Sequence, residues 1–149
     1  MTTDAPQHPL LAGYPIRIRI PVQWGDMDAY GHANNTVFFR YFESARVAFL
    51  ERCGFLRSYE RERIGAILHS TSCRFRLPLF YPDSVLVGGR ATEVATDRFT
   101  MGYVVVSETA GRVAGEGMGV IVSYDYERGK KCQIPVDVRG MIDRLERDS

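Results

Sequence analysis

The chemically active side chains of this sequence are concentrated in one short segment, GDMDAYGHANN, at residues 25–35. The segment contains two carboxylates, Asp26 and Asp28, an imidazole, His32, and two asparagines. Carboxylates and imidazoles can transfer protons, attack a carbonyl carbon or bind a metal ion. The segment lies between a predicted strand and a predicted helix, where a shorter connection is usual, and long loops of this kind tend to carry function.

Three interpretations of this segment are open at this point. It could be a structural helix cap, in which the aspartates make Asx turns, Gly31 adopts a positive φ and the asparagines start the helix. It could bind a metal ion through Asp26, Asp28 and His32, although the sequence offers no second cluster of ligands. It could also place a carboxylate opposite the N–H groups that begin a helix and polarise a carbonyl oxygen. This third arrangement suits acyl transfer.

The elements on either side of the segment are predicted by their hydrophobic periodicity. Residues 16–22, IRIRIPV, alternate apolar and basic side chains, which predicts a strand with one buried face in an antiparallel sheet. From Asn35 to Cys53 apolar residues recur at spacings of three and four, which predicts a helix of about five turns. Asn34 or Asn35 is the expected N-cap of this helix, and Gly54 is expected to end it.

The rest of the chain is rich in predicted β-structure. After a short second helix, four strands are expected in AILHSTSCRFR, VLVGGRATEV, RFTMGYVVVSE and RVAGEGMGVIVSYDY, with consecutive strands pairing as antiparallel hairpins. A short amphipathic helix that begins at Pro135 closes the chain. One long helix with a wide aromatic face needs a sheet to cover it, so the sequence predicts an α+β fold in which an antiparallel five-stranded sheet wraps around one long central helix.

Length and composition predict one ordinary domain. The chain has 149 residues, of which 45% are apolar, and a formal net charge of +1, which gives no reason to expect nucleic acid as a partner. Residues 1–14 lack periodicity and are predicted to be a flexible N-terminal arm, with residues 15–149 as a single domain. Three cysteines without paired spacing, and no run of about 20 apolar residues, predict a cytoplasmic protein with neither disulfides nor a membrane span.

The stretch WGDMDAYGHANNTVFFRYFESAR resembles the signature of hot-dog-fold acyl-CoA thioesterases of the 4-hydroxybenzoyl-CoA thioesterase type. The pattern of that family is Asp-x-Asp, then Gly-His-Val-Asn-Asn, then an aromatic helix that ends near Glu-x-Ala-Arg. The later stretch CRFRLPLFYPDSVLV is similar to a second characteristic stretch of the family. The resemblance covers most of residues 16–127, and the sequence departs from the pattern at Ala33, where the family usually has valine.

The resemblance implies a role for each residue of the loop. Asp28 falls at the catalytic position, as nucleophile or general base toward a thioester carbonyl. The backbone N–H of Asn35 falls where the family polarises the carbonyl oxygen, and Asp26 is expected to shape the loop. The residues expected to contact the substrate are Gly31, His32, Asn34 and Phe38.

The implied function is hydrolysis of an acyl-CoA thioester to a free acid and CoA, without a metal or bound cofactor. The family builds its active sites between subunits, so the resemblance predicts a homo-oligomer, either a dimer or a homotetramer. Arg74, Arg76, Arg90 and the basic run at 127–131 are candidates for contacts with the phosphates of CoA. Two alternatives stay open, namely a non-catalytic hot-dog module that binds acyl-CoA or an acyl carrier, and an enoyl-CoA hydratase.

Overall fold

A six-stranded antiparallel sheet and three α-helices are formed by residues 5–149, the part of the chain that the computed structural model describes. The strands are β1 (Ile16–Pro21), β2 (Ile64–Phe75), β3 (Ser84–Val94), β4 (Arg98–Ser107), β5 (Arg112–Asp125) and the two-residue β6 (Lys130–Lys131). The helices are α1 (Asn35–Cys53), α2 (Phe55–Glu62) and α3 (Val136–Arg147). The five long strands curl around α1, so the predicted hot-dog fold is confirmed.

The order of the long strands in the sheet is β1-β3-β4-β5-β2. The expected hairpins β3–β4 and β4–β5 are confirmed, but the expectation that β2 pairs with β3 is wrong, because β2 pairs with β5 at the far edge. The segment 76–83, which joins β2 to β3, is a crossing strap instead of a tight turn. The strap accepts hydrogen bonds from the loop before α1, from Ala33 N–H to the Leu79 carbonyl oxygen at 2.8 Å and from Val22 N–H to the Asp83 carbonyl oxygen at 2.9 Å.

The aromatic face of α1 lies directly on the backbone of β5. Gly115 and Gly117, two alternate residues of that strand, face the helix and have no side chains. A Cβ atom built on Gly115 would lie 2.8 Å from the ring of Phe38, and one on Gly117 would lie 2.5 Å from the ring of Phe42. Phe42 is fully buried and stacks on Tyr103 of β4, with ring centroids 4.6 Å apart. The spacing of glycines in AGEGMGV therefore sets how closely the helix approaches the sheet.

Both ends of α1 carry the capping residues expected from the sequence. Asn34 is the N-cap, and its Oδ1 accepts a hydrogen bond from the N–H of Thr36 at 2.9 Å. Gly54 ends the helix with a φ of 91°, a left-handed conformation that glycine adopts without a steric penalty. The helix therefore begins directly after the polar loop, and its first turn points toward that loop.

The N-terminal segment before β1 lies partly outside the described residues, since residues 1–4 of the predicted arm are not described. Within the described part, Leu11 is fully buried on the outer face of the sheet against Leu86, Val104 and Val106. Leu11 thus anchors this segment to β3 and β4, and the predicted division into a flexible arm and a domain stays a prediction. No helix within residues 5–149 is both long and apolar enough to cross a membrane. The expected cytoplasmic location stays a prediction.

Substitution Gly117→Ala should destabilise the protein by about 1–3 kcal/mol, the usual cost of overpacking a core. The added methyl group would lie 2.3 Å from the carbonyl oxygen of Ser72 and 2.5 Å from the ring of Phe42. Gly102→Ala in β4 is the matched control, because its methyl group would meet only Thr92 Cγ2, at 3.4 Å. Urea unfolding of both variants measures the difference. Equal free energies of unfolding would contradict the role assigned to the glycines of β5.

Candidate active site

The loop between β1 and α1 folds into a tight hairpin that brings Asp28 to the start of α1. The N–H of Asp28 donates to the carbonyl oxygen of His32 at 2.9 Å, and the N–H of Gly31 donates to the carbonyl oxygen of Asp28 at 3.0 Å. The Oδ1 atom of Asp28 accepts a hydrogen bond from the N–H of Tyr30 at 2.8 Å. Gly31 has a φ of 83°, which the turn requires and glycine tolerates. The hairpin therefore fixes the backbone of Asp28 and one of its carboxylate oxygens.

Asp26 ties this hairpin to α1. Its Oδ2 accepts a hydrogen bond from the N–H of Gln23 at 2.9 Å, and its Oδ1 accepts one from the guanidinium of Arg40 at 2.8 Å. Its carbonyl oxygen accepts the N–H of Asn34 at 3.0 Å. Both carboxylate oxygens of Asp26 are thus engaged, which supports the loop-shaping role expected of this residue.

The first turn of α1 presents an unpaired backbone donor next to the hairpin. Asn34 Oδ1 accepts hydrogen bonds from the N–H and the hydroxyl of Thr36, at 2.9 and 2.8 Å. The N–H of Val37 donates to the Asn34 carbonyl oxygen. The N–H of Asn35 has no acceptor in the part of the chain that the structure describes. An unpaired N–H at the positive end of a helix dipole can stabilise a negative charge that develops on a bound oxygen atom.

Asp28 and the start of α1 face one cavity of about 360 Å³. Its polar end is formed by the hairpin and Asn35, and its apolar end by the rings of Phe38 and Phe75, which meet edge to face at 5.1 Å. A carboxylate, a helix N-terminus and an apolar wall therefore share one space. The residues that line the cavity are Asp28, His32, Ala33, Asn35, Phe38, Phe75, Arg76, Leu77 and Pro78.

Four of the six predicted site residues line this cavity, namely Asp28, His32, Asn35 and Phe38. Gly31 and Asn34 lie outside its wall, where Gly31 shapes the turn and Asn34 caps the helix. The substrate contact expected of these two residues stays a prediction.

Sequence reasoning did not place Leu77 and Pro78 at the site. These residues belong to the strap that crosses from β2 to β3, and they reach the cavity because the Ala33 N–H bonds the strap at Leu79. The proline that breaks the strand after CRFRL is the local signal that could have indicated this crossing.

Two of the three cysteines are poorly suited to act as an alternative nucleophile. Burial, and then the negative charge of Glu116, raise the pKa of the Cys73 thiol to about 11. Burial raises the pKa of Cys53 to about 12, so both cysteines are neutral thiols at pH 7. Within residues 5–149 no group of three or more His, Cys, Asp and Glu side chains is arranged to bind a metal ion. The arrangement therefore does not support metal binding by Asp26, Asp28 and His32.

Comparison with known proteins assigns the chain to a family. The model of the Thioesterase-like superfamily matches residues 22–142. A protein of Aquifex aeolicus (strain VF5), provisionally named an esterase, is 32% identical over 125 residues, which are 83% of this chain and 94% of that protein.

Solved structures of thioesterases have the same fold. A thioesterase from Thermus thermophilus, solved in complex with coenzyme A and Zn, is 29% identical with a TM-score of 0.79, over 91% of this chain and 96% of that one. A thioesterase-superfamily structure from Jannaschia sp. CCS1, 23% identical, has a TM-score of 0.83 over 91% of this chain and 85% of that one. The chain therefore belongs to the thioesterase-like superfamily, which confirms the prediction of an enzyme that hydrolyses thioesters.

Proposed function

We propose that this protein hydrolyses an acyl-CoA thioester with the carboxylate of Asp28 as its reactive group. The observation that carries the proposal is that Asp28 and Asn35, whose backbone N–H is unpaired among the described residues, line the same cavity beside an apolar wall. The Thermus thioesterase, 29% identical to this chain, was solved with coenzyme A, which supports a CoA thioester as the substrate.

The cavity provides separate positions for the two ends of the acyl group. The thioester carbonyl oxygen accepts a hydrogen bond from the N–H of Asn35, and the helix dipole stabilises the negative charge that forms on that oxygen during attack. The acyl chain lies between Phe38, Phe75 and Leu77, from which it displaces water. The CoA sulfur then points toward the mouth of the cavity.

Asp28 has one carboxylate oxygen available for the reaction, because Oδ2 has no hydrogen-bond partner among the described residues. As a nucleophile, Oδ2 attacks the carbonyl carbon, the C–S bond breaks, and CoA leaves as a thiolate that takes up a proton. Water then hydrolyses the acyl–aspartate anhydride and restores the carboxylate. As a general base, Asp28 takes a proton from a water molecule while the oxygen of that water attacks the same carbon. The C–S bond then breaks, CoA leaves as a thiolate, and the proton held by Asp28 passes to that thiolate, which restores the carboxylate. Both routes consume one water and release the free acid and CoA.

The free edge of β2 supports assembly with a second copy of the chain. Among the described strands β2 pairs only with β5, so its other edge is unpaired, and the strand carries Ile67 and Leu68, which are 40% and 39% exposed. A long unpaired strand edge with exposed apolar side chains beside it is suited to antiparallel pairing with the same strand of another subunit around a two-fold axis. Because β2 ends at Phe75, which lines the cavity, such pairing places the partner strand beside the site. Two such dimers would form the expected homotetramer.

Substitution Asp28→Asn should lower kcat for thiol release at least about 100-fold, since an amide can neither attack the carbonyl nor accept a proton from water. The fold should be retained because the Asn Oδ1 atom can still accept the hydrogen bond from the Tyr30 N–H. Single-turnover kinetics and binding of a non-hydrolysable acyl-CoA thioether separate catalysis from binding. Wild-type turnover in Asp28→Asn would remove this residue from the mechanism.

Asp26→Asn is the matched control for that experiment. It keeps an acceptor for the Gln23 N–H but removes the negative charge that faces Arg40. It should therefore lower the melting temperature more than Asp28→Asn does, and lower kcat less. The reverse pattern would exchange the roles proposed for the two aspartates.

A panel of short, long and aromatic acyl-CoA substrates should show thiol release from at least one member, because in the proposed binding mode the Asp28 carboxylate lies beside the electrophilic carbonyl carbon. The assay follows free thiol with a chromogenic disulfide, and an enoyl-CoA in the panel is also followed by its ultraviolet absorbance. Binding without thiol release across the panel would favour a non-catalytic acyl-CoA module, and loss of enoyl absorbance without thiol would favour a hydratase. Turnover of an aromatic acyl-CoA would support the 4-hydroxybenzoyl-CoA thioesterase type.

The variant with both Ile67→Lys and Leu68→Lys should be monomeric and less active, because two added positive charges on each β2 edge oppose strand pairing. Size-exclusion chromatography with light scattering measures the mass of the variant and the wild type. Val136→Lys is the control, since Val136 is 89% exposed at the start of α3 and lies outside this edge. A monomeric wild type, or a variant with unchanged mass, would contradict assembly through β2.

A further inference from the structure

The outer face of the sheet has a second cavity, of about 490 Å³, that crosses four strands. Two cationic side chains, Arg74 of β2 and Arg90 of β3, line it together with the hydroxyl-bearing Ser72 and Thr92. Gly102 contributes no side chain where the cavity crosses β4. We call this cavity, as defined by these five residues, the outer groove.

The outer groove and the 360 Å³ cavity lined by Asp28 and Asn35, which we call the catalytic cavity, meet at one ion pair. Arg76 lines the catalytic cavity, and its Nε donates to Oε1 of Glu116 at 2.7 Å. Glu116 in turn lines the outer groove, and Arg74 lies opposite it in the register of β2 and β5. A ligand that leaves the catalytic cavity past Arg76 therefore reaches the outer groove directly.

Arg74 and Arg90 bring two positive charges to the outer groove without a direct ion pair in the described part of the chain. Within residues 5–149, neither Arg74 nor Arg90 forms an ion pair. Arg90 stacks over the ring of Tyr14 at 4.7 Å, and its buried Nε has no partner among the described residues. Of the nearby acids, Glu116 binds Arg76, and the Glu146 carboxylate accepts the Ala91 N–H at 3.0 Å. Burial raises the pKa of Glu146, and the charge of Arg90 partly offsets that rise.

The other basic region considered from the sequence is less suited to an anionic ligand. The run at 127–131 lies beyond the end of β5, where Arg128 pairs with Asp125 and the two lysines form β6 against that strand. That end of β5 pairs with the start of β2. The catalytic cavity lies at the opposite end of β2, where the last residue of the strand, Phe75, lines it. Apart from Arg76, which is paired with Glu116, the arginines nearest the catalytic cavity in this comparison are those of the outer groove.

We propose that the outer groove binds the phosphorylated adenosine end of CoA while the thioester occupies the catalytic cavity. The inference rests on the proposed acyl-CoA substrate. Phosphate oxygens match the planar, multidentate donors of a guanidinium, and Arg74 and Arg90 present two such groups in one cavity. The pantetheine arm passes Arg76 and connects the two cavities. Arg74 and Arg90 thus determine the preference for CoA thioesters over thioesters without a nucleotide.

The test compares one acyl group on CoA and on pantetheine, which lacks the nucleotide phosphates. Arg74→Ala should lower the ratio of kcat/KM for acyl-CoA to kcat/KM for acyl-pantetheine about tenfold, as expected for the loss of one charge-assisted phosphate contact. The change should appear in KM and weaken with added salt. Arg74→Lys should restore most of the ratio. Arg112→Ala is the control, because Arg112 is exposed on β5 outside the groove.

Calorimetric binding of adenosine 3′,5′-bisphosphate provides a readout that requires no hydrolysis. The wild type and Arg112→Ala should bind it, and Arg74→Ala should bind it about tenfold more weakly. Bisphosphate binding that depends on Arg74 in a protein that releases no thiol would refute the proposed hydrolysis and retain the nucleotide site. An Arg74→Ala variant that leaves both the kinetic ratio and bisphosphate affinity unchanged would overturn the outer groove as the nucleotide site. A wild type that binds no bisphosphate would also overturn it.

Discussion

The contact between the aromatic face of α1 and the glycine backbone of β5 determines where every other part of the site lies. A sheet with ordinary side chains at Gly115 and Gly117 would hold the helix further away, since Cβ atoms there would fall within 3 Å of Phe38 and Phe42. The contact fixes the depth and rotation of the helix at once. Because Phe38 also lines the catalytic cavity, the ring that sets the packing is a wall of the site. Stability and site geometry therefore depend on the same few atoms.

Hydrogen bonds from the strap at 76–83 also position the loop between β1 and α1, which contains Asp28. The Asp83 carboxylate accepts bonds from the Ser107 hydroxyl at 2.6 Å and from the backbone and hydroxyl of Thr109 at 3.1 and 2.9 Å. Burial alone would raise the pKa of Asp83, but these donors outweigh it and lower that pKa. The ionised Asp83 thus holds the strap against the turn after β4, and the strap holds the loop through Ala33. The orientation of Asp28 is consequently supported from outside the loop.

Local patterns were sufficient to predict the elements, and the family resemblance indicated four of the residues that line the cavity, namely Asp28, His32, Asn35 and Phe38. The period of IRIRIPV, the apolar stripe of α1 and the capping residues Asn34 and Gly54 are local signals, and each element lies where they indicate. Strand pairing was not local, since β2 joins β5 through a strap that resembles a turn in sequence. For this reason the sequence did not predict that the strap brings Leu77 and Pro78 to the site. Their placement follows from hydrogen bonds to a distant loop, which periodicity does not report.

The two cavities divide the requirements of the reaction according to solvent exposure. Charge stabilisation at Asn35 needs a site from which water is displaced, because a dipole acts more strongly in a medium of low dielectric constant. Phosphate binding needs no such shielding, and the exposed guanidinium of Arg74 serves it without the cost of burying charge. The sheet separates these environments, with the thioester chemistry on its helix side and the arginines on its outer side. In the proposed binding mode, one extended substrate passes the Arg76–Glu116 pair at the boundary and occupies both cavities.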